Sequence, residues 1–212
     1  LRPKHIIWDW NGTLVDDAWL CVQILNRVLR EAGLAPVTLD AYRGEDHFPV
    51  EEYYRRLGFD FARRPYADLS ADYNVEYARR RFECRLQEGA EELLARCRAA
   101  GLGQSVLSAY EQHSLEEMIG GYGLSRFFDR IVGRPDFDAS GKTELGRRLL
   151  DELDLAPEAV LLVGDTSHDH AVASVLAIPC VLFSGGHQSP AVLAHLGPPV
   201  IDRLADLEAM LG

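Results

Sequence analysis

The sequence predicts an α/β protein, a doubly wound parallel sheet interrupted by an all-helical insert, on three observations. From Arg85 onward apolar runs alternate with amphipathic stretches. The first run, within "HIIWDW", is apolar on successive residues, as expected of a strand covered on both faces in a parallel sheet. Between that run and Arg85 the segments have helical spacing and no strand signal intervenes. A normal crossover needs little more than about a dozen residues. Residues 15–85 therefore read as a helical cap domain, and residues 1–14 and 86–212 as the α/β core, with hinges at the two crossings.

The elements follow in order. "HIIWDW" is the first strand. "AWLCVQILNRVLREAG", "VEEYYRRLGFD" and "DYNVEYARRRFECRL" are the helices of the insert. "GAEELLARCRAAG" closes on Gly101 as a helix. "LGQSVLS" is a strand, "EQHSLEEMIGGYG" a helix and "RIVG" a short strand. "TELGRRLLDELD" is a helix, "EAVLLVGD" a buried strand, "HDHAVASVLA" a helix and "IPCVLFS" a further strand. A short "PPVI" strand and the helix "LADLEAMLG" finish the chain.

Bulk properties narrow the function. With 212 residues, 47% hydrophobic and 26% charged, the chain has the make-up of an ordinary globular protein. A net charge of -11 argues against a nucleic-acid partner, which needs a basic face. No apolar run approaches the roughly 18 residues of a membrane span, and no basic-then-apolar signal opens the sequence at Leu1. Cys21, Cys84, Cys97 and Cys180 form no C-x-x-C pair and read as reduced thiols of a cytoplasmic protein. Lys4 and Lys142 are the only lysines.

In an open parallel sheet, ligands bind outside the carboxyl ends of the strands. There the sequence places Asp9, Trp10, Asn11, Gly12 and Thr13 after the first strand, Ser108 and then Ala109 after the second, and Asp165 and Asp169 within "GDTSHD". Lys142 stands in a loop before a helix, following "DASG". An aspartate at such an edge can attack phosphorus. Gly12 allows a tight turn whose amides face a phosphate. The hydroxyls of Thr13 and Ser108 can donate to its oxygens, and the Lys142 ammonium offsets the charge of both phosphate and Asp9. Each residue alone also has an ordinary role: Asp165 or Asp169 as a helix N-cap, Thr13 and Ser108 in turns, Lys142 as solvated surface.

Taken together, the ordered set resembles the four motifs of the haloacid dehalogenase-like hydrolase superfamily, D-x-D-G-T, Ser or Thr, Lys and G-D-x-x-x-D, over nearly the whole chain. The tail "VGDTSHDHAVASVLAIPCVLFSGGHQS" is similar to the phosphoglycolate phosphatase-like branch. The resemblance implies a Rossmann-like core with a small helical cap, and hydrolysis of a small phosphorylated metabolite through an aspartyl-phosphate on Asp9. It implies Mg2+ held by Asp9, the backbone carbonyl of Asn11 and Asp165. Asp169 would bind the metal through water or steady Lys142. Phosphate contacts from Gly12, Thr13, Ser108, Ala109 and Lys142 complete the set. Cap residues would choose the substrate; in the loop "YRGEDHFPVEEYY", Arg43 and His47 are candidates to meet an anion, Arg43 equally a surface charge. A monomer or weak homodimer is expected.

One position departs from that pattern. Family phosphatases carry a second Asp two residues after the nucleophile, as general acid and base, and here it is Asn11. An amide exchanges no proton near neutral pH, and losing such a group commonly costs about 10²–10⁴-fold in rate. Three readings follow: a phosphatase, slow or confined to good leaving groups, with Asp16, Asp17 or a cap residue handling the proton; a phosphotransferase or phosphate-gated switch; or a phosphate-binding protein with little turnover. Between Asp16 and Arg85 there is no lysine for Schiff-base phosphonate chemistry. Haloacid dehalogenase chemistry, which needs Tyr at this position and no metal, matches poorly. His168, His170 and His187 read as rim residues. Trp8, Trp10 and Trp19 read as packing, with Trp10 placed to line the pocket.

Overall fold

The computed structural model describes residues 2–135 and 141–211. Strands β1 (His5–Trp8) and β2 (Val15–Asp16) precede four helices, α1 (Ala18–Glu31), α2 (Leu39–Arg43), α3 (Val50–Arg56) and α4 (Tyr66–Arg80). Next come β3 (Arg85–Leu86), α5 (Ala90–Ala99), β4 (Gly103–Glu111), α6 (Gln112–Gly121) and β5 (Arg130–Arg134). The remainder is α7 (Lys142–Leu153), β6 (Val160–Gly164), α8 (Ser167–Leu176), β7 (Cys180–Phe183), α9 (Pro190–Leu193), β8 (Val200–Ile201) and α10 (Glu208–Leu211). Most of the "DASG" loop before Lys142 lies outside the described residues.

Six strands form one parallel sheet in the order β5-β4-β1-β6-β7-β8. Period-two alternation explains why β1 is apolar throughout. Ile6 and Trp8 face the layer of α5 and α6 with Leu93, Leu94 and Met118, while Ile7 faces α7 and α8 with Leu145, Leu149 and Val172. Helices therefore cover both faces, as the apolar run predicts. Strand β1 sits at the centre, and from it the chain order runs outward in both directions. That is the switch point where such sheets leave a crevice at their carboxyl edge.

The segment between β2 and β3 is helical, with its own small core of Leu25, Val28, Leu29, Tyr53, Tyr54, Phe59 and Leu69. Two details were not foreseen. The two crossings pair with each other as an antiparallel ribbon, Val15 opposite Leu86 and Asp16 opposite Arg85. Helix α2 runs into the start of the stretch expected to be loop, at Tyr42 and Arg43, and is capped by Thr38, whose Oγ1 accepts from the Ala41 amide at 3.1 Å.

Candidate active site

The register of the central strands decides which side chains meet. Trp8 lies opposite Val106 on β4 and Val163 on β6. Asp9, Ser108 and Asp165 follow within two residues of that line, so all three emerge at one edge. The Asp9 amide donates to the Val163 carbonyl at 2.8 Å and fixes the carboxylate at the strand end. Strand β4 does not stop at Ser108: it continues to Glu111, with its register broken between Leu107 and Glu111. The irregularity turns Ser108 and Ala109 toward the same cavity, a common use of such a break beside a site. Ser108 Oγ accepts from the Tyr110 amide at 3.1 Å, which leaves its proton for another partner.

Lys142 is the first residue of α7 rather than part of a loop, and it is 3% exposed. Its Nζ donates to Asp9 Oδ1 and to Asp169 Oδ1. Asp169 turns its other oxygen to α8's own start, accepting from the Thr166 amide at 3.0 Å and the Thr166 hydroxyl at 2.7 Å. The helix cap and the lysine clamp are thus one side chain. Asp165 accepts from Thr13 Oγ1 at 2.7 Å and from the His187 amide at 2.6 Å. Thr13 is fully buried and its hydroxyl orients Asp165 instead of facing the cavity. Gly12, with φ +79°, is required here: a Cβ would lie 2.2 Å from Asp165 Oδ2.

Carboxylate oxygens of Asp9, Asp165 and Asp169 lie within 4.8 Å of one another, all buried. Burial pushes Asp9 up to about 8; Lys142 opposes this, and Asp169 and Asp165 reinforce it. Burial likewise lifts Asp165 to about 6, with His187 opposing and Asp169 adding to the rise. With all three ionised, Lys142 would supply one positive charge against three acids, and this shortage of cation adds to burial in raising Asp9 and Asp165. Buried, oxygen-only donors with uncompensated negative charge fit a hard divalent cation.

A second cluster adjoins the first and was largely missed by sequence reasoning. Asp17 is fully buried and accepts from Asn11 Nδ2 at 2.7 Å, the Gly12 amide at 2.9 Å and the Tyr77 hydroxyl at 2.6 Å. His187 Nε2 lies 3.1 Å from its Oδ1. Burial raises Asp17, but His187, Tyr77 and Asn11 outweigh it and hold the carboxyl below its usual range. Burial lowers His187, yet Asp17 and Asp165 carry it up to about 9. The two form an ion pair, and His187 is an interior residue, not a rim one. Its other ring nitrogen meets the Tyr42 hydroxyl at 3.0 Å. The only sequence hint was "GGHQS", a histidine after two glycines just beyond a strand end.

Above the carboxylates opens a cavity of roughly 330 Å³, walled by the helical insert and reaching Asp9, Lys142, Ser108 and Ala109. Arg43 does not line it; the guanidinium donates to the Ser184 carbonyl on the loop after β7. His47 does line it, with Nε2 2.6 Å from the Tyr42 carbonyl. Burial lowers His47 to about 4, so at neutral pH it carries no charge for an anion. Trp10 is fully buried in the core and absent from the cavity wall.

The family described as haloacid dehalogenase-like hydrolase matches residues 6–183. The chain belongs to that family. It is 28% identical over 226 residues to a phosphoglycolate phosphatase of Rhodospirillum rubrum, covering 99% of this chain and 91% of that one. It is 25% identical over 210 residues to the tyrosine-protein kinase PtkA of Mycobacterium tuberculosis, covering 98% of this chain and 71% of that one. Among solved structures, a haloacid dehalogenase-like hydrolase of Streptococcus pneumoniae superposes with a TM-score of 0.80 at 20% identity, over 99% of both chains. That likeness establishes the fold alone. Among the described residues no helix is long and apolar enough to cross a membrane.

Proposed function

We propose that this enzyme is a magnesium-dependent phosphomonoesterase that passes the phosphoryl group through Asp9. The observation that carries the reading is Asp9 itself, buried at the central strand end and clamped by Lys142. Its carboxylate stands within reach of Asp165 and Asp169 beneath the cavity walled by the insert. Asp9, Asp165 and the Asn11 carbonyl would hold the metal, while Asp169 is engaged with Lys142 and Thr166. The ion, when bound, would draw charge from the phosphoryl oxygens. Lys142 neutralises Asp9 and the phosphate together. Ser108 and the Ala109 amide orient the phosphate, whereas the Gly12 amide, expected to do so, is spent on Asp17; the insert excludes water during transfer. Small phosphorylated metabolites fit the enclosed volume, and the phosphatase relative supports that class. The four free cysteines suit a reducing, cytoplasmic setting, and a monomer or weak homodimer is the expected state.

The test is release of phosphate from small monoesters with and without magnesium, in the wild type and Asp9→Asn. Release that needs the metal and vanishes in the variant is the expected result. Activity surviving Asp9→Asn removes the nucleophile assignment.

A second reading, transfer of the phosphoryl group to an acceptor other than water, is favoured by Asn11. Its amide is committed to Asp17 and Tyr77, at 2.7 and 2.6 Å, and offers no base for water. The likeness to PtkA supports it as well. A stable acyl-phosphate on Asp9 that discharges only when an alcohol is added would favour transfer over hydrolysis.

A further inference from the structure

Seven of the eight tyrosines in the chain line the single cavity above Asp9. Six of them, Tyr42, Tyr53, Tyr54, Tyr66, Tyr73 and Tyr77, come from the insert, and Tyr110 comes from the core. They form two chains of ring contacts: Tyr53 and Tyr54 centroids are 6.4 Å apart and Tyr54 and Tyr66 5.9 Å, and Tyr73 and Tyr77 are 6.4 Å apart and Tyr77 and Tyr110 5.5 Å. The wall is neutral. Burial raises the hydroxyls of Tyr42, Tyr53, Tyr54, Tyr66, Tyr73 and Tyr77 above their ordinary range, and His47 is uncharged. Arg43, the cation expected to meet a second anionic group, is turned to Ser184. Arg134, the last residue of β5, lines the cavity within electrostatic reach of Tyr66 and is, among the described residues, the cation in its wall apart from Lys142 and His187. Flat ring faces at these spacings receive another ring in stacked or edge-on contact.

A second, independent observation concerns the leaving group. Position 11 is an amide, and the two ionisable groups nearest it, Asp17 and His187, are engaged with each other and with their neighbours. Asp17 accepts from Asn11, Gly12, Tyr77 and His187, and both ring nitrogens of His187 are in contact, one with Asp17 and one with Tyr42. A site whose position 11 donates no proton discriminates by how well the departing oxygen bears negative charge. A phenol has a pKa of about 10, against roughly 16 for water, which ordinary alcohols approach.

We propose that the substrate is a small aryl phosphate, a monoester whose ring packs against the tyrosine wall and leaves as a phenolate. This rests on Asp9 as the nucleophile. In the first step an Asp9 carboxylate oxygen bonds to phosphorus and the phosphorus–aryl oxygen bond breaks. The electron pair leaves on the phenolate oxygen, which takes a proton from solvent. In the second step a water oxygen bonds to the same phosphorus, the bond to Asp9 breaks, and dihydrogen phosphate departs with both water protons.

Wild-type protein with magnesium is given phenyl phosphate, benzyl phosphate and 2-phosphoglycolate. Phenyl phosphate is expected to exceed phosphoglycolate in kcat/KM by about 100-fold. Benzyl phosphate, equally aromatic but leaving as an alkoxide, should share the KM of phenyl phosphate with kcat about 100-fold lower, the size of a missing general acid. Asn11→Asp should narrow the phenyl–benzyl gap at least tenfold, and Tyr66→Leu should raise KM for both aromatic esters without raising that of phosphoglycolate. Phosphoglycolate cleaved as well as phenyl phosphate, or benzyl as fast as phenyl, overturns the assignment while leaving the hydrolase intact. Release from none of the three removes the hydrolase reading instead, and calorimetric binding to the wild type then decides the ligand class. Phenyl phosphate bound tighter than phosphoglycolate sustains the inference, and equal or weaker binding overturns it. A phosphotyrosyl peptide preferred over free phosphotyrosine overturns the small-molecule source.

Discussion

The sheet edge and the helical insert meet at one cavity but are built on opposite principles. At the edge, Asp9, Lys142, Asp165 and Asp169 are ionisable and buried, with Lys142 paired to Asp9 and Asp169 and Asp165 held by Thr13 and the His187 amide. In the insert, the wall is neutral and aromatic, held by helix packing around Leu25, Leu29 and Leu69. The difference teaches that reaction chemistry is fixed by backbone geometry common to the sheet, while choice of substrate is left to a side-chain surface that can change without disturbing it. Contacts across the boundary are specific: Asp17 with His187, Tyr42 with His187, Phe48 stacked on His168 at 4.8 Å, and Ser167 Oγ on Asp46 at 2.9 Å.

The contrast breaks most visibly at Lys142. Lys142→Met leaves Asp9 and Asp169 buried without their cation, a change that costs about 3–5 kcal/mol when one partner of such a pair is removed. Thermal melts should show that loss and turnover should fall by about 10²-fold or more; added magnesium should restore part of the stability. A variant as stable as the wild type would mean the clamp is not structural.

The neutral insert should reveal itself through pH. His47 has a folded pKa of about 4, set by burial, against 6.5 in the unfolded chain. As pH falls below 6.5 the unfolded chain takes up a proton that the folded chain refuses, so stability is lost between pH 6.5 and 4, by about 3 kcal/mol. His5 and His168, also lowered by burial, act in the same direction. Denaturation measured across that window should have a shallower slope in His47→Gln; an unchanged slope assigns the effect to the other histidines.

Asn11→Asp tests the boundary between the two regions. A carboxyl 2.7 Å from ionised Asp17 must take up a proton to avoid repulsion, so the variant should lose about 1–3 kcal/mol of stability at neutral pH. The same neighbour keeps the new acid protonated, which is the state a leaving oxygen needs, and turnover should rise about tenfold or more. Turnover that does not rise shows that another group already moves the proton.

Thr13→Val is the mildest change. Without its hydroxyl, Asp165 loses one of two orienting donors, and the magnesium concentration for half-maximal activity should rise about tenfold. An unshifted titration would show that the His187 amide alone positions Asp165.

The alternation of apolar runs was enough to place every strand of the main sheet, because a strand covered on both faces leaves a mark that needs no knowledge of its neighbours. The edge residues Asp9, Asp165 and Asp169 were legible for the same reason: each follows its strand directly in the chain. Lys142 was legible as a residue but not as a helix start. Arg43 and Thr13 were named for a phosphate they do not face, since the sequence says where a side chain is attached and not which way its loop turns. The Asp17–His187 pair joins residues 170 apart, and the tyrosine wall gathers rings from three helices of the insert and one strand of the core. Periodicity reports only local burial, so contacts of that kind exist nowhere in the sequence until the helices pack against the sheet and bring the rings to one cavity.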